Sequence, residues 1–550
     1  VGLSHFYNCL NHAQPQKESV LTINVDLRHY YCKFILYSTR QSMCDCLKSG
    51  LLLLGVYIIA SSLQAQSIHS PNQYSAEIGT YFSSSTQTPF WLRANQYGIV
   101  PNQSPVVTYR AGVYSDYDTS RYDIERRRSK KYDFAYGLNV ILNTPQSQLP
   151  YERNVLLPEA YIKVRRGIFE AYIGRQREKF GLADSTLSTG SYAWSGNAMP
   201  VPKIQIAIPV FTPIGFTKGW VSVQGTFAHG YLDGKGYIQN TMLHQKSLYL
   251  RFGRERDVIR VYAGINHQAV WGGRATDTTG IPGTIPAGGK LPSGLTNYFY
   301  VVSTLNSGRT DTQQYTYFDL TNRVGNHLGS VDIATEIDLV RHTLYLYRQN
   351  IYEDGSLFYL INIADGLNGI RIRRNDPGAV VRDILFEFLN TTSQGGPEFV
   401  IDDPDRRGKD DYFNHQQYRD GWAYRKHTIG TPFIAPALGP QDQYPYGTFT
   451  ANNRVYVFHT GIAGSLPIRG HAFEGPISYQ LKLSYSRNLG TYDYPFRSIR
   501  NQFSGLASFV APVAILGGIQ LTGSIAVDAG TFYQNSVGGY ISLKKNWLTR

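Results

Sequence analysis

Aromatic and guanidinium side chains are dense in two stretches of the chain. Residues 391–453 hold Arg406, Arg407, Lys409, Tyr412, Phe413, Tyr418, Trp422, Tyr424, Arg425 and Lys426. Residues 268–328 contribute Trp271, Tyr298, Phe299, Tyr300, Arg309, Tyr315 and Tyr317. That mixture suits saccharide. Aromatic faces cover the apolar C–H patches of a sugar ring, planar polar groups take its hydroxyls, and arginine offers a two-pronged donor to an acidic sugar. Trp271, Arg406, Arg407, Tyr412, Trp422, Tyr424 and Arg425 are therefore the candidate glycan-binding residues. The competing role for each ring is to pack loops against one another or to join an interfacial girdle. Catalysis finds no counterpart: the chain has no Gly-x-Ser-x-Gly, no His-Glu-x-x-His and no phosphate-binding glycine loop. Asp402–Gly408 approaches a calcium loop, but Arg407 stands where a ligand oxygen is needed and no closing Glu follows. Neither enzymatic activity, a metal nor a cofactor is expected.

The elements that would carry such loops are legible from composition and pattern. The 550 residues include 42 Tyr and 53 Gly but only 3 Met, with a mean hydropathy of −0.28. After residue 65 no stretch approaches the roughly 18 consecutive apolar residues of a spanning helix. The long apolar run is Leu51–Ala60, preceded by Lys48 and followed by Ser61-Ser62-Leu63-Gln64-Ala65-Gln66. A basic start, a short apolar core and a small residue before Gln66 read as a secretory signal peptide over 43–65, cut after Ala65. Residues 1–42 contain no Met and are read as a mis-called upstream extension. All four cysteines (Cys9, Cys32, Cys44, Cys46) precede the cut, so the expected mature chain has neither disulfides nor thiol chemistry. Removing residues 1–65 lowers the formal charge from +13 to +11. The basic residues are scattered rather than clustered, which argues against a nucleic-acid partner and for acidic polysaccharide or lipid headgroups.

In residues 66–550 the main signal is alternation. Val331, Ile333, Ile337 and Leu339 alternate with Asp332, Glu336 and Asp338. Ile259, Val261, Ala263 and Ile265 alternate with Arg260, Tyr262 and Asn266, and similar runs centre on residues 138, 481 and 523. A period of two sends one set of side chains to each face. Segments of about 9–12 residues match tilted membrane strands, and ionic groups on one face fit a barrel whose apolar side meets lipid. The fold class expected is thus all-β, a transmembrane antiparallel barrel. Arg260, Asp332, Glu336, Asp338, Arg371 and Arg373 are its candidate lumen-facing residues, with Arg110, Lys163, Arg251, Lys482 and Asp528. These groups either line water or pair into a ladder. Tight connections at 165–167, 254–257, 340–342 and 375–378 place the long segments 268–328, 351–369 and 391–453 together at the opposite end. Residues 74–105, with Pro89, Trp91, Tyr97 and Pro101, are read as an N-terminal plug region.

Several stretches in this order resemble the capsule assembly protein Wzi family in its Bacteroidetes form. They are Thr88-Pro89-Phe90-Trp91-Leu92-Arg93, Gly174-Arg175 leading to Phe180-Gly181-Leu182, Ser195–Ile204, His267–Gly273, Asp410–His415, Gly421–Tyr424 and Ile429–Pro432. The resemblance implies a barrel of about 18 strands with a small helical plug, in the outer membrane of a Gram-negative bacterium. It also implies a non-enzymatic, lectin-like protein that binds capsular or other surface polysaccharide and helps assemble the capsule; a monomer is expected. A porin-like channel for small solutes is the rival reading.

Overall fold

The computed structural model describes residues 71–549 except 148, 150, 151, 233–235, 278–283, 287, 306–314, 317, 318, 321, 322, 354, 355, 401–407, 438–448, 469–472, 515 and 516. The expected extension and signal peptide, which together hold the four cysteines, and the candidates Arg406 and Arg407 lie outside the described residues.

Eighteen strands form the wall. In chain order they are β1 (Gln73–Ser83), β2 (Val106–Ser115), β3 (Arg128–Thr144), β4 (Val155–Gly167), β5 (Phe169–Arg175), β6 (Lys203–Pro213), β7 (Val221–Leu232), β8 (Thr241–Phe252) and β9 (Ile259–Trp271). There follow β10 (Asn326–Asp338), β11 (His342–Glu353), β12 (Gly366–Arg374), β13 (Asp383–Asn390), β14 (Val455–Leu466), β15 (Ile477–Gly490), β16 (Pro495–Val513), β17 (Ile519–Gly530) and β18 (Ser536–Leu548). Each pairs antiparallel with its sequence neighbour. The ring closes where β1 meets β18, from Gln73 opposite Leu548 to Ser83 opposite Gly538. Closure satisfies every ladder without an open edge, the condition for strands to cross lipid.

Alternation sets the two faces as the sequence pattern requires. On β10, Val331 and Ile333 are 41% and 51% exposed, while Asp332 between them is 1% exposed. Ile78, Ile162, Ile204, Leu248, Ile370, Phe458 and Ile525 extend the same apolar belt around the outside. Leaving such a side chain in water forgoes about 1.5–3 kcal/mol of burial, so a whole belt is stable only where the surrounding solvent is hydrocarbon.

Short connections gather at one end. Gly167 turns β4 into β5 with a backbone φ of +60, which favours glycine, and residues 253–258, 339–341, 375–382 and 514–518 link other pairs at this turn end. The long segments 84–105, 176–202, 272–325, 354–365 and 391–454 all emerge at the other, loop end. In bacterial barrels the loop end faces outward from the cell. One expectation needs correction. Residues 73–83 are the first wall strand, paired on both sides, so only 84–105 can turn inward. Its helix, α1 (Phe90–Arg93), is small, a single turn. Flanking Pro89 and the extended Ala94 stop it. The longer α2 (Leu295–Ser303) belongs to the 272–325 loop.

Candidate functional site at the loop end

Three loop-end segments converge inside the wall. In 84–105, Phe90 and Trp91 are each 2% exposed. The Phe90 amide donates to Asp528 Oδ2 of β17 at 2.8 Å, and Trp91 Nε1 donates to Ser484 Oγ of β15 at 3.1 Å. In 176–202, Phe180, Leu187, Tyr192 and Trp194 are buried. The Leu182 amide donates to Asp332 Oδ2 of β10 at 2.8 Å. Ser188 Oγ and the Thr189 amide both donate to Glu387 of β13 at 2.6 Å, and Tyr192 OH donates to Glu353 of β11 at 2.6 Å. In 408–436, Trp422 Nε1 donates to the Ala193 carbonyl at 2.6 Å, locking the third segment onto the second. These rings join inward wall residues in one continuous apolar cluster.

The lumen-facing candidates take the inward side, and the paired-ladder role describes them. Arg260 Nη2 bridges Glu336 at 2.8 Å and Asp338 at 2.6 Å. Arg371 lies between Asp383, at 2.7 Å, and Asp184 of the inward segment, and Arg373 meets Asp383 at 3.0 Å. Asp332 accepts from Gln349 Nε2 at 2.9 Å as well as from Leu182. Burial works against an ionised Asp184, yet Arg371 and the amides of Leu187 and Thr186 hold its carboxyl below the ordinary range. These carboxylates therefore anchor loop backbone more than they line water.

The glycan candidates divide sharply. Trp422 and Tyr412 are 0% exposed, Tyr424 2% and Trp271 5%. Tyr412 OH donates to Asp365 at 2.9 Å, and Arg175 donates to Tyr424 OH at 2.8 Å. Trp271 packs with Tyr298 and Val301 of α2. Of the two roles open to these four rings, loop packing is the one the structure displays: aromatic residues in long loops are also what seals those loops. Arg425 alone among the described candidates reaches a solvent cleft.

That cleft lies between Gly98–Pro101, the β3–β4 connection, Met199 and the hairpin tip at Arg425, and it includes Asn143, Glu152, Arg153, Asn154 and His427. Three elements build it. Asn143 Nδ2 donates to the Ile99 carbonyl at 3.0 Å, tying 84–105 to β3, and Glu152 Oε1 accepts from the Asn102 amide at 2.8 Å. Ala423–Tyr424 and His427–Thr428 form a two-residue hairpin with Arg425 and Lys426 at its centre. Both central residues hold left-handed backbone, with φ of +51 and +62, where Asn or Gly is normal. Such strain costs about 1–3 kcal/mol per residue and concentrates at functional positions. Among the described residues, Glu152 Oε2 and Asn143 Oδ1 are buried acceptors that meet no donor. Burial, with Arg93 nearby, pushes His427 down to about 4, so its imidazole is neutral at pH 7. The cleft thus combines buried, unmatched acceptors, amides, a neutral imidazole and guanidinium groups, which is polyol-binding chemistry with a bias toward acid. Sequence reading missed Asn143, Glu152, Arg153 and His427; only the Arg425-Lys426 pair, basic where a turn wants glycine, gave a signal.

No family model matches the chain, and no curated protein matches its sequence. Among solved structures, the chain is similar to Wzi of Escherichia coli, an outer-membrane protein involved in group 1 capsule assembly and described as a carbohydrate-binding β-barrel. Identity there is 12%, with 88% of this chain and 87% of that chain covered and a TM-score of 0.51. OccD1 (OprD) aligns at 7% identity over 88% of this chain and 96% of its own, with a TM-score of 0.42. Pseudomonas aeruginosa OccK3 aligns at 8% over 88% and 100%, also at 0.42. At these identities the likeness concerns fold, and the chain has the closed 18-strand antiparallel fold of outer-membrane barrels.

Proposed function

We propose that this chain is a non-enzymatic barrel of a Gram-negative outer membrane that binds surface polysaccharide at its loop end and helps anchor or assemble a capsule. The observation that carries this reading is the pairing of buried rings packed inside the loop end of the wall with a polar cleft beside them. Trp91, Tyr192 and Trp422 are buried in one apolar cluster with inward wall residues, which supports a barred passage, while Asn143, Glu152, Arg153 and Arg425 line a polar recess. The carbohydrate binding named for Wzi supports it as a neighbour's property. Export by a cleaved signal peptide at 43–65 and a monomeric state belong to the same reading.

The alternative, a channel for small solutes, makes an opposite demand on the interior. Planar-bilayer recording of the purified protein separates them: near-zero current is expected, and steady single-channel conductance would reject the proposal. Binding is tested by pulling down the organism's own extracted polysaccharide with the purified barrel. Deleting the gene is expected to release polymer into the medium, and an unchanged capsule would overturn the capsule role.

A further inference from the structure

The lipid-facing side of β8–β11 changes character at one level. Climbing from the turn end, outward residues of β8 run Phe252, Leu250, Leu248 and then Lys246 and His244. On β9 they run Ile259, Val261, Ala263, Ile265 and then His267; on β10, Ile337, Ile333, Val331 and then His327. The register proves a common face: Lys246 lies opposite His267, and Val331 lies opposite both Ile265 and Asn350. The alternate residues Asn266, Ser330 and Gln349 are fully buried toward the interior. Hydrocarbon therefore gives way to headgroup depth between Leu248 and Lys246.

At that level sits a groove on the outside of the wall. Its floor is Ile265 and Val331, its loop-side lip is Leu360 and Ile363, and its two cations are Lys246 and Arg323. Leu360 and Ile363 are 59% and 43% exposed, an arrangement that water penalises and acyl chains favour. Lys246 Nζ donates to the Val302 carbonyl, and Arg323 Nε donates to the Thr304 carbonyl at 2.8 Å. Both cations are thereby held at the C-terminal end of α2, and neither has a carboxylate partner among the described residues. A cation on a lipid-facing surface is costly at mid-depth and becomes cheap near the headgroups, and a phosphate there would supply the missing countercharge.

We propose that this groove binds a phosphorylated, multiply acylated lipid of the surrounding leaflet, its phosphate between Lys246 and Arg323 and its chains along Ile265, Val331, Leu360 and Ile363. The site is separate from the loop-end cleft and does not depend on polysaccharide binding. Native mass spectrometry of the full barrel, released from mixed micelles containing lipid A or enzymatically dephosphorylated lipid A, provides the test. Retention of the phosphorylated form is expected to exceed the dephosphorylated form at least 10-fold. The Lys246→Gln/Arg323→Gln pair should remove that preference while the heat-modifiable gel shift of the folded barrel persists. Equal retention of the two lipids by the unaltered protein overturns the proposal whatever the variant does. So does displacement by millimolar inorganic phosphate alone, which would mean the chains contribute nothing, or a stable dimer sealed across the groove, which would make it a protein interface.

Discussion

The inward segment 176–202 and the hairpin 423–428 leave the same end of the barrel yet treat polar groups in opposite ways. In the first, the contacts that hold the segment close against wall residues: Asp184 with Arg371, the Thr189 amide with Glu387, the Leu182 amide with Asp332. In the second, Arg425 and Lys426 are lifted on left-handed backbone toward solvent, beside acceptors without donors at Asn143 and Glu152. Satisfaction makes an interior; displayed, strained and incompletely matched groups make a surface able to gain from a ligand. The same contrast describes Tyr412, Trp422 and Tyr424, whose rings are buried in the inward cluster.

The largest expected effect comes from removing residues 178–196. If that segment fills the lumen, bilayer current should rise from near zero to steady conductance while the wall stays folded; persistent silence would mean the other two segments suffice. Trp422→Ala should next remove a fully buried ring and its hydrogen bond to Ala193, costing about 3–5 kcal/mol. Urea unfolding in vesicles measures this, and an unchanged midpoint would return Trp422 to the list of surface residues. Arg153→Ala with Arg425→Ala should lower polysaccharide retention roughly 10-fold, the loss of one or two charge-assisted hydrogen bonds. Stability should hardly move, and equal retention would remove the cleft from the binding surface.

A smaller effect is expected from Lys426→Gly. It relaxes a left-handed position and should steady the hairpin by about 1 kcal/mol, seen as slower amide exchange at Thr428. The pH response is subtler still. Burial lowers His427 to about 4 from an ordinary 6.5, so the opened hairpin takes up a proton before the closed one. Hairpin stability should be complete above about pH 6.5 and fall as pH drops toward about 4. Limited proteolysis at pH 7 and pH 4.5 reads this, with His427→Gln expected to flatten the difference.

Much of the wall was legible without coordinates. The alternating runs centred on residues 138, 481 and 523 fall in β3, β15 and β17, those around 259–266 and 331–339 in β9 and β10, and the tight connections at 165–167, 254–257 and 340–342 lie at one end. Alternation is local, so each strand announces itself, and the ionic residues among apolar ones revealed which face meets lipid. The inward face of Arg260, Asp332, Glu336, Asp338, Arg371 and Arg373 followed from the same rule. The cleft was much less legible, with Arg425 its one foreseen member among the described residues.

The sequence by itself determined a closed antiparallel wall with an apolar exterior, because a two-residue period is written into neighbouring positions. Only the tertiary structure decided what fills the wall and which loop residues meet solvent. Leu182 finds Asp332 across 150 positions, and Trp422 finds Ala193 across 229. Segments 84–105, 176–202 and 408–436 carry no sustained period of their own. Their conformation is dictated by the carboxylates and rings that surround them once the barrel has closed, and such long-range satisfaction leaves no local pattern to read.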